Sequence, residues 1–417
     1  MQVSADDESG TEGRGAQAGA ARGLLARRVA SVGLSVFSEM TALARQHRAV
    51  NLGQGYPDFA GPDWVKEAAR DAIARDVNQY ALSEGSLRLR QQVAAMAGPR
   101  LGRGLDPELE VTITSGATEG VFAAMQALVE PGDSVAVFDP AYESYGPAIT
   151  YPGGVTRCVP LYAPDAHHAS WWFDGEELRR VLRSGARVLL LNTPHNPTGK
   201  VFTRAELSVI AALCQEYDVL AVTDEVYEYL TFGVQHVSLA SLPGMWERTL
   251  TVSSSAKTFS LTGWKIGWAV GPAHLVRGLA AAHQSMVFCA AAPLQEGIAE
   301  GLAQAEARGY YQLLQAEYQQ RRDYLLAALH EVGLPPYPTE GSYFTLCDIR
   351  GLGYADDWAF CRALTVEAGV TAIPPTAFYS PENRHLGQQM ARFAFCKRME
   401  TLEEAARRLA AWHRRHR

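Results

Sequence analysis

Between about residues 109 and 270 the chain alternates short apolar runs with helical stretches, and this alternation leaves few folds open. β-Branched or apolar runs at 110–114, 134–138, 187–191, 219–223, 249–252 and 268–270 are each the length of one strand. Helical patterns lie between them, at 121–129, 176–182 and 204–217. Strands that are apolar on both faces belong in a parallel sheet covered by helices. The expected class is α/β. Ligands of such sheets sit beyond the carboxyl ends of the strands. The residues there are Ser115 to Thr118, Asp139, Asn192, Asp224 and Ser254, all small or polar.

The flanks read differently. A helical pattern runs from about residue 24 through Val29, Val32, Leu34, Val36, Phe37, Met40, Leu43 and Ala44. A long helix is expected at 301–331, followed by strands at 342–347 and 391–396 and helices at 357–368 and 402–414. This mixture predicts a smaller α+β domain. The expected organisation is a disordered tail (1–23), a small domain (24–60 and 301–417) and a large domain (61–300). A chain of 417 residues is long enough for that.

Composition narrows the setting. The net charge of −7 is spread along the chain without a basic block, which argues against nucleic acid or an acidic membrane as partner. No apolar run reaches the roughly 20 residues of a membrane span. The first 20 residues are rich in Gly, Ala and acidic residues and lack the apolar core of a signal peptide. The six cysteines are scattered, with no CxxC pair. Free thiols in a reducing, cytoplasmic setting are the expectation.

Chemistry concentrates in Ser253-Ser254-Ser255-Ala256-Lys257, which runs on to Gly263-Trp264-Lys265-Ile266-Gly267. Burying an ammonium is costly unless it is paired or neutralised. Desolvation and cationic neighbours make the amine a nucleophile. Lys257 is thus the candidate for a Schiff base to pyridoxal phosphate; an isolated lysine would read as surface. Gly116-Ala117-Thr118 opens a helix and offers free N–H groups to a phosphate, with Ser254 and Lys265 adding a hydroxyl and a charge. Asp224 ends an apolar strand and could pair with the pyridine nitrogen; capping the next turn is the alternative. Tyr227 and Asn192 are candidate donors to the ring phenolate oxygen. A packed tyrosine and an Asx turn are the plain alternatives. Arg392, inside an apolar strand, suits a substrate carboxylate unless it faces water.

Taken together, Lys257 and its flanks, Asn192-Thr193-Pro194-His195-Asn196-Pro197-Thr198-Gly199, Asp224-Glu225-Val226-Tyr227 and Arg392 resemble the class I/II aminotransferases of fold type I. Within that family, SVFSEMTALA, NLGQGYPDF, NQYALSEGSLRLR and KTFSLTGWKIGW look like the kynurenine/glutamine/methionine branch. The resemblance implies a large domain with a mostly parallel seven-stranded sheet, pyridoxal 5'-phosphate as cofactor, and amino acids and 2-oxo acids as substrates. It implies Lys257 as Schiff-base lysine and proton-shift base, Asp224 at the pyridine nitrogen, and Asn192 and Tyr227 at the phenolate. Tyr142 would stack on the ring, and Ala117, Thr118, Ser254 and Lys265 would bind phosphate. Arg392 would take the substrate carboxylate, with Gly55 nearby. Tyr80 would reach into a partner's site in a homodimer.

Two departures concern the site. Lysine stands at 265 where many aminotransferases carry arginine. Tyr56 stands where relatives often carry phenylalanine, adding a hydroxyl at the expected pocket mouth. Phe37, Tyr56, Phe288 and Tyr343 are candidate pocket aromatics, with ordinary core as the alternative. The leading reading is transamination of an aromatic, methionine, glutamine or kynurenine type of amino acid. The alternative is a cysteine-S-conjugate β-lyase using the same cofactor site.

Overall fold

The computed structural model describes residues 26–30 and 35–416. The expected tail, 1–23, lies outside the described residues, as do Val32 and Leu34 of the expected first helix. That helix is not continuous: Arg27–Ala30 is one turn, and Ser35 is extended and caps a separate helix, Val36–Gln46. The Ser35 hydroxyl accepts the Phe37 N–H at 3.2 Å, which satisfies one of the donors a helix start leaves unpaired.

Seven strands make one sheet, in the order Val111–Thr114, Gly267–Val270, Thr249–Ser254, Leu220–Asp224, Ala186–Asn192, Ser134–Asp139, Val155–Pro160. Every pairing is parallel except the two made by Gly267–Val270. Alternate side chains go to opposite faces. Val135, Val137, Val188, Leu190, Val222, Val252 and Ala269 pack under the helices Gly116–Leu128 and Ala273–Val287. Ala136, Phe138, Leu189, Leu191 and Ala221 face the helices Gly175–Arg183 and Arg204–Glu216. The edge strand Val155–Pro160 escaped the sequence reading because its first four residues are exposed or half-buried, so it lacks a continuous apolar signature.

A second set of elements packs around Tyr318, Leu325, Phe360, Phe393, Leu402 and Trp412. It includes an antiparallel pair, Phe344–Asp348 with Met390–Ala394, and a short parallel pair, Val50–Asn51 with Val370–Thr371. The helix expected at 301–331 is two helices, Ala292–Ala305 and Tyr310–Glu331, separated by a turn at 306–309 in which Gly309, at φ 61°, precedes the start of the second. Residues 35–416 form one compact unit. Among the described residues, no helix is long and apolar enough to cross a membrane.

Asp139, at the carboxyl end of its strand, ties the sheet to the 375–383 segment. Its carboxylate accepts the Ser380 N–H at 3.0–3.1 Å, the Ser380 hydroxyl at 2.6 Å and the Asn383 amide at 3.0 Å. Removing a buried acceptor leaves its donors unpaired. Asp139→Ala is expected to cost about 3 kcal/mol in a denaturant titration; a loss near zero would show that water replaces the carboxylate.

Candidate active site

One cavity of about 350 Å³ opens at the carboxyl ends of the strands. Its wall includes Ala117, Thr118, Tyr142, Asn192, Asp224, Tyr227, Ser254, Lys257 and Lys265, together with Gly55 and Phe37. Nine of the thirteen residues singled out as cofactor or substrate ligands therefore meet there, with Gly55 as a tenth.

The topology explains the convergence. Ser254, Asp224 and Asn192 each end a parallel strand. Gly267–Val270 runs the other way, so its start lies beside Thr114 and Ser254 and brings Lys265 to the same rim. Lys265 sits in the left-handed region, at φ 55°. A Cβ on Gly267 would stand 2.7 Å from the Ala117 nitrogen and from the Gly116 carbonyl carbon. Glycine is what lets this strand lie against the helix start. The helix Gly116–Leu128 begins here, so its first N–H groups face the rim. Glu119 steadies the turn by accepting the Ser115 N–H at 3.0 Å, and it contacts the buried His283 at 3.0 Å.

Lys257 lies in the short helix Ser255–Thr258, with Nζ 5.3 Å from the Tyr343 ring centre and 5.8 Å from that of Tyr227. Burial lowers its pKa from 10.5 to about 8; Lys265 and Arg392 push the same way, against Cys396 and Asp224. Asp224 is 7% exposed. It accepts the Tyr145 hydroxyl at 2.7 Å and the Val226 N–H at 3.3 Å. Burial raises its pKa, while Tyr145, Val226 and Lys257 hold it down. Asn192 donates one amide N–H to the Asp224 carbonyl at 2.9 Å and keeps a second. Burial pushes the Tyr227 phenol far above its ordinary range, so it stays a donor.

Arg392 is completely buried and stands behind the wall rather than in it. It donates to Asn196 Oδ1 at 3.0 Å and to the Gly53 carbonyl at 2.8 Å. The Phe344, Phe378 and Phe37 ring centres lie 4.1–5.0 Å from its guanidinium. Its Nε has no partner among the described residues. Burial brings its pKa down to about 10.

Two predicted site residues lie elsewhere. Tyr56 is 50% exposed, with Lys397 Nζ 4.7 Å from its ring centre. Tyr80 is 82% exposed and packs edge-on against Phe288 at 5.1 Å. Among the pocket-aromatic candidates, Phe37 lines the cavity, Phe288 is exposed, and Tyr343 lies beneath Lys257 with its hydroxyl donating to the Gly55 carbonyl. Sequence reasoning missed Ser35, Glu143, Tyr145 and Phe344, which also line the cavity. Nothing local marked them; DPAYESY pointed only to Tyr142. Asn196 sat inside a quoted motif with no role attached.

The depressed amine has a direct test. Lys257 becomes reactive as it loses its proton, so its reactivity rises as pH climbs through about 8. Acylation of the cofactor-free protein, followed at Lys257 by mass spectrometry, is expected to be half-maximal there; a midpoint above about 10 is the ordinary lysine value and would refute it.

Known proteins place this geometry. Residues 47–409 match the family described as Aminotransferase class I and II. The probable N-succinyldiaminopimelate aminotransferase DapC of Mycobacterium tuberculosis is 45% identical over 383 residues, covering 90% of this chain and 95% of its own. The solved structure of N-succinyldiaminopimelate aminotransferase from that organism superposes with a TM-score of 0.89 at 44% identity, covering 93% of this chain and all of that one (100%). Kynurenine–oxoglutarate transaminase 3 of Mus musculus is 38% identical over 410 residues, covering 93% and 90%. With the helix-start cradle, the strand-end carboxylate and the buried amine on one rim, the chain belongs to the class I and II aminotransferases, enzymes that use pyridoxal phosphate to move an amino group from an amino acid to a 2-oxo acid.

Proposed function

We propose that Lys257 Nζ is the covalent anchor of pyridoxal phosphate and the general base of the transfer, and that the preferred donors carry uncharged aromatic, thioether or amide side chains. The observation that carries this reading is one cavity wall shared by Lys257, Asp224, Asn192, Tyr142, Lys265 and the 116–118 helix start. Bound there, pyridoxal phosphate supplies an electron sink for charge left on the substrate Cα. The chain supplies the rest. Ala117, Thr118, Ser254 and Lys265 would hold the phosphate. Asp224 would hold the ring nitrogen, Asn192 and Tyr227 the phenolate oxygen, and Tyr142 would cover a ring face. Lys257 would take the proton from the substrate Cα. The unpartnered Arg392 Nε is the kind of buried donor that a substrate carboxylate satisfies, with Asn196 and Gly55 beside it.

The donor preference follows from the wall. Phe37, Tyr142 and Phe344 give it apolar area. Glu143 adds a carboxylate that accepts the Ser35 hydroxyl at 2.8 and 2.9 Å and, among the described residues, has no cation within ion-pair distance, though the Arg392 charge acts on it. A donor with an additional distal carboxylate meets that charge. Similarity to the N-succinyldiaminopimelate enzyme favours a second reading in which such a donor is used.

We also propose a homodimer with shared sites. Tyr80, Leu82, Met286, Val287 and Phe288 are 38–82% exposed, an apolar set that a second copy would cover, with Tyr80 entering its site. All six cysteines are free thiols, in keeping with the proposed cytoplasmic setting.

A panel of methionine, glutamine, phenylalanine, kynurenine and N-succinyl-L,L-diaminopimelate, each with a 2-oxo acid, tests the donor class. The uncharged donors are expected to lead in kcat/KM by about tenfold or more; a lead for the succinylated donor moves the assignment to the second reading. Pyruvate released from an S-substituted cysteine without any 2-oxo acid would instead mark a β-lyase. Borohydride reduction should fix the cofactor on Lys257; a tag on another residue defeats the anchor assignment. Gly267→Ala is expected to weaken cofactor retention about tenfold or more by displacing the 116–117 backbone. Unchanged retention in a dialysis assay would place the phosphate elsewhere.

A further inference from the structure

Tyr145 is the first residue of the short helix Tyr145–Thr150, and its N–H closes a turn onto the Tyr142 carbonyl at 3.0 Å. Its ring packs into the apolar cluster beneath the sheet, with Val222, Val252 and Ala269. It also stands edge-on to Tyr142, with ring centres 5.7 Å apart. The side chain is 4% exposed, and its hydroxyl ends 2.7 Å from Asp224 Oδ2. Among the described residues, the other carboxylate oxygen receives only the longer bond from the Val226 N–H, at 3.3 Å.

We propose that Tyr145 is a positioning residue for the transamination: it holds the Asp224 carboxylate ionised and aimed at the cofactor ring nitrogen. The inference rests on the reading that Asp224 faces that nitrogen. A buried carboxylate without donors takes up a proton, and a protonated acid cannot stabilise a cationic ring. A hydrogen bond from a neutral donor to a carboxylate is about twice as strong as one between neutral groups. Tyr145 is such a donor at every working pH, because burial and the adjacent Asp224 charge push its phenol well above 10. The groups around Asp224 do not make Tyr145 redundant. Lys257 adds a favourable charge, while Glu225 opposes ionisation from the next position in the chain. Tyr142 and Tyr227 are neutral phenols whose own ionisation is disfavoured by Asp224. Two functions are thereby joined in one side chain. Tyr145 orients the carboxylate at the ring edge and props Tyr142, which covers the ring face.

Tyr145→Phe keeps the ring and deletes the donor. The apo-protein of this variant is expected to bind pyridoxal phosphate about tenfold or more weakly in a fluorescence titration, the effect of one hydrogen bond to a charged group. The pH midpoint of the cofactor's visible band is expected to move by about one unit, and kcat to fall about tenfold with KM within about threefold. A purely structural tyrosine would leave the band's midpoint in place. Asp224→Asn is run alongside. If it changes the band and Tyr145→Phe does not, the Tyr145 proposal fails while the Asp224 reading stands. If neither changes it, the Asp224 reading fails and takes this inference with it. Should Tyr145→Phe not fold, 3-fluorotyrosine at position 145 supplies a stronger phenol donor. Cofactor affinity and band midpoint are then expected to move opposite to a lost bond, and an unmoved midpoint counts against the proposal.

Discussion

Two lysines, Lys257 and Lys265, stand at the carboxyl rim of an apolar sheet with one buried aspartate, Asp224, while Arg392 lies buried behind the cavity wall, and the burial of these charges governs the rest of the site. Burial is what perturbs two of them: it takes Lys257 to about 8, with Lys265 and Arg392 pushing the same way, and it takes Arg392 to about 10 against its neighbours. Rings of Phe344, Phe378 and Phe37 offset part of the cost at Arg392 through their negative faces. On the proposed reading, a phosphate and a substrate carboxylate would bring negative charge to this set.

That rim exists because one strand is reversed. Gly267–Val270 is antiparallel to both neighbours, and so delivers its start where they deliver their ends. The space needed is obtained by leaving out a side chain at Gly267. A parallel strand there would have sent Lys265 to the opposite end of the sheet.

Much of this was readable before the coordinates. Strand-length apolar runs and the polar residue at the end of each located the sheet, and with it Asn192, Asp224, Ser254 and Lys257, because the alternation is local. Three things were not local. Val155–Pro160 pairs on one side only, four of its six residues are exposed or half-buried, and the run looks like loop. Gly309 breaks a helix whose apolar pattern continues on either side. Tyr145 and Glu143 owe their places to partners 79 and 108 positions away, which no motif of a few residues can encode. The kind of substrate side chain belongs to the same category, since Phe37, Glu143 and Phe344 reach the wall from three separate stretches.

All the chemistry gathers at one end of the strands, and the other end carries only turns. Gly132 and Gly185, which precede two central strands, are exposed and have nothing within 4 Å of where a side chain would begin. The molecule is in this sense polarised like a tool with a handle. A reporter domain or surface tether grafted at those turns would sit a full strand length from the reacting atoms, leaving the working end undisturbed.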